Sequence, residues 1–187
     1  FAGAISQSGG SFGPTRSPSE PGENIPKLAQ AEANGASFAK KMNAATIADL
    51  RKVPADDIEK NFLGSGTAWP TLDGWLIADD QYKLYTAGRY NDTPILVGTN
   101  SDEGALFPIQ QTREGYVEHV RKRFGPHADA VLKAYPANDN WQQSNRDMTR
   151  DAAFAWHTWA WAHLHSTKNK SKAFLYYFDQ SSIAQIR

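Results

Sequence analysis

Pro94-Ile95-Leu96-Val97-Gly98-Thr99-Asn100-Ser101-Asp102-Glu103-Gly104-Ala105-Leu106-Phe107 is the stretch from which the fold is read. A turn signal, Tyr90-Asn91-Asp92-Thr93, precedes an apolar, β-prone run. The run then breaks into a polar loop, and apolar residues return only after Gly104. A short apolar run of this kind predicts a strand buried on both faces, because such a strand needs no polar alternation. In open α/β sheets the loops at the carboxyl ends of strands carry the chemistry, and here that loop holds two carboxylates, Asp102 and Glu103. From this stretch alone a solvated acidic turn after a strand is the reading to prefer.

Working outward, helical and strand patterns alternate. Ala4-Ile5-Ser6-Gln7-Ser8 before Gly9-Gly10 predicts a short strand ending in a turn, and residues 11–24, rich in Ser, Pro and Gly, predict a loop. A helix is expected over 25–42, with Pro26 in its first turn and a buried stripe of Leu28, Ala31, Gly35, Phe38 and Met42. Gly35 inside it implies close packing. Thr46-Ile47-Ala48-Asp49 resembles a capping box opening a short helix, and residues 55–61 predict another turn or two. Gly64-Ser65-Gly66 reads as flexible, and Asp73-Gly74 between apolar runs predicts a small hairpin.

Further helices are expected over 82–87, 112–124, 128–135 and 144–165, and a strand over 173–178. The last helix carries Phe154, Trp156, Trp159, Trp161 and Leu164, more rings than one core-facing stripe requires. Core packing is the reading for each ring, with a cavity lining or a covered second surface as the alternative. The alternation predicts an α/β fold with a mostly parallel central sheet flanked by helices.

Composition narrows the function. The chain has 187 residues, 40% hydrophobic and 21% charged, with 20 basic residues balancing 20 acidic ones. That balance argues against a nucleic-acid partner. No apolar run approaches membrane-spanning length, and without cysteine there is no disulfide or thiolate metal site. His119 and His127 read as surface residues. His157, His163 and His165 share a helix at spacings that do not place them on one face, so no metal site is expected. No P-loop or G-x-G-x-x-G motif occurs, and Gly9-Gly10-Ser11-Phe12-Gly13, which matches the letters G-x-S-x-G, runs into the Ser-, Pro- and Gly-rich loop stretch rather than opening a helix as a nucleophile elbow does. Phe1 enters directly into a predicted strand, and residues 180–187 follow another. A segment of a longer polypeptide is therefore expected, a view that a folded 187-residue monomer would overturn.

Three elements then resemble one family, the type-B carboxylesterases, the cholinesterase-like branch of the α/β-hydrolases. Residues 4–9 resemble its A-I-x-Q-S-G segment, Leu72-Asp73-Gly74 its V-D-G element, and residues 98–104 its G-x-N-x-D-E-G motif. The similarity runs from Phe1 to about Asp179. It implies that residues 1–187 form part of a single α/β-hydrolase domain, with the nucleophile expected upstream and the catalytic His downstream. Glu103 would be the acid of a Ser-His-Glu triad. Ser8 matches a buried serine that supports the triad and is not the nucleophile, and Asp102 would be structural. The resemblance implies an ester substrate, no metal or organic cofactor, and the remaining segments of the same hydrolase as partners. It leans toward a secreted or periplasmic location. Its alternative is an inactive, cholinesterase-like adhesion protein.

Two departures stand out. Ile77-Ala78 occupies a place where the family often has Pro. Arg150-Asp151-Ala152-Ala153-Phe154 replaces the usual T-D-x-x-F, and Arg150 could pair at the surface with Asp147 or Asp151, or face an acidic substrate.

Overall fold

β-Branched and apolar side chains make residues 95–100 a strand, and the strand lies where such a run must lie, in the middle of a sheet. The computed structural model describes residues 1–9, 25–62 and 70–180. Strand β1 is Ala4–Gln7, β2 is Ile95–Asn100 and β3 is Ala173–Phe178. They form a sheet in the order β1-β2-β3 with both pairings parallel, Ile5 opposite Leu96 and Thr99 opposite Tyr177. Ile95 and Val97 are 4% and 1% exposed. Burying each such side chain contributes about 1.5–3 kcal/mol.

The chain divides into two units, Phe1–Gly13 with Leu84–Arg187, and Pro14–Lys83. Within the second, α1 spans Leu28–Lys41, α2 Ile47–Leu50 and α3 Ala55–Phe62. Pro26 precedes α1 rather than opening it. Ala31, Gly35, Phe38 and Met42 are only half-buried, and Leu28 is exposed. The close packing expected at Gly35 is not found: a β-carbon there would meet nothing within 4 Å. The Thr46 cap forms as expected, its hydroxyl oxygen accepting the Asp49 N–H while the hydroxyl donates to the Asp49 carboxylate. The Asp73-Gly74 turn forms, and among the described residues no hairpin accompanies it. Asp73 Oδ1 takes up the N–H groups of Trp75 and Ile77, and Leu72 instead makes a parallel bridge to Lys27. The loop expected over 11–24 and the glycine stretch 64–66 lie outside the described residues.

In the first unit the sheet is followed by helices. Helix α4, Gln81–Thr86, begins in the other unit and ends in this one, and Arg113–Phe124 is α5, Ala128–Ala134 α6, Trp141–Arg150 α7 and Trp156–Lys168 α8. Thr112 caps α5 by accepting the Gly115 N–H. Tyr116, Val120, Ala128, Trp141 and Met148 form one core, bordered by Phe124, Val131 and Leu132. Ile95, Val97 and Ala162 form another, bordered by Trp161 and Ala173.

The single helix expected over 144–165 is instead two, joined by a π-helical turn at Asp151–Ala155. A π turn holds more residues than an α turn and resets the helix's phase. Met148 of α7 can thereby face the α5–α6 core while Ala162 of α8 faces β2. The rings divide accordingly. Trp161 packs against the sheet core, whereas Trp156 and Trp159 are 45% and 51% exposed. Among the described residues no helix is long and apolar enough to cross a membrane.

Candidate active site

Where β2 runs out, the backbone turns through Ser101 and Asp102 into a 3-10 turn, Glu103–Leu106. Asp102 is exposed, but Glu103 folds back and is only 5% exposed. A carboxylate withdrawn from water needs donors to offset lost hydration. Glu103 finds two: Oε1 accepts the Asn100 backbone N–H at 3.0 Å and the Ser8 hydroxyl. Both fall on one oxygen, and among the described residues no hydrogen bond reaches Oε2.

Ser8 reaches this point because β1 is parallel to β2 and ends beside it. The Ser8 N–H donates to the Gly98 carbonyl at 2.9 Å and extends the ladder one residue past β1. The backbone of Ser8 then takes φ of +55°, a left-handed conformation that a strand cannot continue through. Its side chain is half-buried rather than fully enclosed. The structure thus brings together the two residues singled out from sequence, Ser8 and Glu103, and leaves Asp102 in solvent.

Two glycines set how closely this corner packs. A β-carbon on Gly98 would lie 2.3 Å from the ring of Tyr176 on β3. One on Gly104 would lie 2.0 Å from the Arg146 carbonyl oxygen, which belongs to the backbone of α7. Only glycine fits at the second position, since the obstacle cannot rotate away.

The other side of the loop is held by residues that sequence reasoning did not place there. The guanidinium of Arg150 donates from Nη1 to the Ser101 carbonyl at 2.9 Å and to Asp147 Oδ1 at 2.9 Å. From Nε it donates to Asp151 Oδ1 at 2.8 Å. Arg150 therefore pairs with both expected carboxylates, but not as a surface residue, because its side chain is only 17% exposed. Burial opposes its charge, and the Asp151 and Asp147 carboxylates outweigh that, so the guanidinium is held above its ordinary pKa. Tyr135 donates its hydroxyl to Asp151 Oδ2 at 2.7 Å. Burial first, then this hydrogen bond to a carboxylate, pushes the Tyr135 phenol up to about 12. Tyr116, fully buried, donates in turn to the Tyr135 carbonyl at 2.8 Å. The i, i+3 spacing of Asp147 and Arg150 was visible in the sequence; the 49-residue reach to Ser101 was not.

His157 and His165 are buried and His127 is exposed, while His119 is half-buried rather than at the surface.

Comparison with known proteins agrees with this architecture. Over 122 residues the chain is 31% identical to the fumonisin B1 esterase of Sphingopyxis macrogoltabida, a match covering 60% of this chain and 22% of that protein. It is 39% identical over 72 residues to lipase 5 of Diutina rugosa, covering 36% of this chain and 13% of that one. Among solved structures, a carboxylesterase of Geobacillus stearothermophilus superposes with a TM-score of 0.67 at 21% identity, over 97% of this chain and 39% of its own. A PNB esterase superposes with a TM-score of 0.64 at 22% identity, over 97% of this chain and 38% of its own. These likenesses give the fold, that of the α/β-hydrolase esterases. The chain spans less than two fifths of either of those structures. The sequence matches the carboxylesterase family over residues 1–186, and the chain belongs to that family.

Proposed function

We propose that this chain is the acid-bearing part of a serine carboxylic-ester hydrolase and that Glu103 is the acid of its Ser-His-Glu triad. The observation that carries the reading is the buried Glu103 carboxylate at the carboxyl end of the central strand, with Oε1 fixed and no hydrogen bond on Oε2 among the described residues. A triad acid must hold an imidazole in one tautomer and stabilise its cation without moving. A carboxylate with one oxygen already engaged is suited to that.

The nucleophilic Ser and the His belong to other segments of the same hydrolase domain. In the proposed reaction the Ser hydroxyl attacks the ester carbonyl and the imidazole accepts its proton. Glu103 accepts the hydrogen bond from the far ring nitrogen and offsets the charge that forms. Collapse of the tetrahedral intermediate expels the alcohol, which takes the proton, and leaves an acyl-enzyme. Water repeats the sequence and releases the acid. Ser8 orients Glu103 and is not the nucleophile, its proton being committed to Oε1. The relatives' names, an esterase and a lipase, support carboxylic esters as the substrate class. The open faces of the outer strands, with Ile5 71% and Phe174 53% exposed, suit a sheet that further segments cover.

The test is Glu103→Gln in the intact protein, assayed with p-nitrophenyl butyrate. Gln keeps an oxygen for Ser8 and Asn100, so the fold should survive. Turnover should fall by roughly three to four orders of magnitude, as it does when a triad acid is neutralised. Wild-type turnover would refute the assignment, and so would a parent protein that lacks a serine nucleophile able to react with a fluorophosphonate.

A further inference from the structure

The geometry points to Arg150 as a positioning residue for Glu103: it clamps the Ser101 carbonyl and so fixes the turn that aims the acid. This rests on the reading of Glu103 as the triad acid.

Three observations carry it. First, the turn between β2 and Glu103 contains only Ser101 and Asp102, so the direction of the Glu103 side chain depends on how the Ser101 peptide is oriented. The Ser101 backbone is held through both of its flanking peptide groups. Its N–H donates to the Phe178 carbonyl of β3 at 2.9 Å, and the Ser101 carbonyl accepts from Arg150 at 2.9 Å. The Tyr177 hydroxyl stands 3.4 Å from the same carbonyl.

Second, Arg150 is itself immobilised. Asp147 and Asp151 hold two edges of the guanidinium plane, Tyr135 holds Asp151, and Tyr116 ties Tyr135 to the helical core. Arg150 closes α7 at the start of the π turn, and that wide turn is where Asp151 joins the pair. The chain of contacts transmits the rigidity of the α5–α7 core to a loop that has no apolar anchor of its own at Ser101.

Third, the charges are accounted for. One guanidinium faces two carboxylates, so Arg150 has no surplus charge for an acidic substrate. A planar fork with five donors can bond two carboxylates and a carbonyl at once, which a lysine cannot do in the same plane. What Arg150 supplies to the loop is direction.

The experiment uses the intact protein with p-nitrophenyl butyrate at a temperature well below unfolding, and compares Arg150→Met, Arg150→Lys, Glu103→Gln and the double variant Glu103→Gln/Arg150→Met. A small misplacement of a catalytic group costs on the order of a hundredfold. Arg150→Met should lower kcat about ten- to a hundredfold with KM within about threefold. Arg150→Lys, which keeps the charge and loses the fork, should fall in between, and it carries the test if the Met variant does not fold. Residues that act as a unit are non-additive, so the double variant should be within about twofold of Glu103→Gln alone. Wild-type kcat in both Arg150 variants, with only the unfolding temperature lowered, would overturn the proposal. So would losses that multiply in the double variant. If Glu103→Gln itself keeps wild-type turnover, the acid assignment fails and this inference with it. If Glu103→Gln is crippled while the Arg150 variants are not, the positioning role alone fails.

Discussion

Gly104 stands against the backbone of Arg146, so close that a β-carbon would sit 2.0 Å from its carbonyl oxygen and 2.9 Å from its α-carbon. Helix α7 is thus pressed onto the turn that carries Glu103. Gly104→Ala must push the two apart, at a cost of about 1–3 kcal/mol or more, with a loss of ester turnover. Gly35 is the contrast, a glycine inside α1 with open space around it. Gly35→Ala should stabilise by about 0.5–1 kcal/mol through helix propensity and leave turnover unchanged. Urea unfolding of both variants decides the pair, and equal shifts of the same sign would contradict it.

Ser8 presents a backbone and a side-chain effect that can be separated. Ser8→Ala removes one of the two donors to Glu103 Oε1 and keeps the left-handed φ of +55°. Hydrogen bonds to charged groups contribute about 1.5–3 kcal/mol, so stability should drop by up to that amount. Turnover should fall less than in Glu103→Gln, since the Asn100 N–H still holds the carboxylate. Ser8→Gly loses the same hydroxyl without the left-handed strain and should be more stable than Ser8→Ala by about 1 kcal/mol. A Ser8→Ala variant as inactive as Glu103→Gln would give the hydroxyl a larger role than orientation.

In the helical core, Tyr116→Phe keeps the buried ring and loses only the bond to the Tyr135 carbonyl. A loss of about 1 kcal/mol is expected. Met148, 3% exposed between α5, α6 and α7, should cost about 2–5 kcal/mol when truncated to Ala. Chemical denaturation would reveal an inverted order, and with it a core that does not depend on Met148.

His165 is fully enclosed, with Asn169 3.4 Å from Nδ1. Burial lowers its pKa below the ordinary 6.5, and the Asp92 carboxylate offsets this only in part. The unfolded chain therefore takes up the proton first. Stability should be level above about pH 6.5, fall as the pH drops from there through the depressed folded pKa, and level off beneath it. His119, lowered by burial and by Arg123 and Lys122, adds to the fall in the same direction. His165→Gln should flatten the decline measured by thermal unfolding between pH 7 and pH 5. An unchanged slope would exclude His165 as a source.

Much of the fold was legible because its signals are local. The run at residues 95–100 is the buried strand its pattern predicted, Thr46 caps the helix that follows it, and α4 ends at Gly88 as helices closed by glycine do, with Arg89 N–H on the Leu84 carbonyl at 2.8 Å. The candidate site was legible as far as Ser8 and Glu103, both carried by motif segments. What escaped the sequence is set by contacts between distant residues. Asp73 satisfied its own loop and so removed the hairpin. The π turn answers to two different cores, which no periodicity over 144–165 reveals. Arg150 looked like a surface residue because its two carboxylates are neighbours in sequence, while the carbonyl that gives it a purpose lies in another element.

The parallel sheet has one more consequence, in time rather than space. Ser8 and Glu103 are 95 residues apart, so at roughly 5–20 residues per second a ribosome emits the carboxylate some 5–20 s after the serine that hydrogen-bonds to it. Strand β3, which supplies the Phe178 carbonyl to the same turn, comes later still. Until β3 follows, β2 keeps one edge without its parallel partner, the kind of surface on which nascent chains associate wrongly. The corner that Ser8, Glu103 and Phe178 build together can therefore close only once residue 178 has been made, long after its first strand.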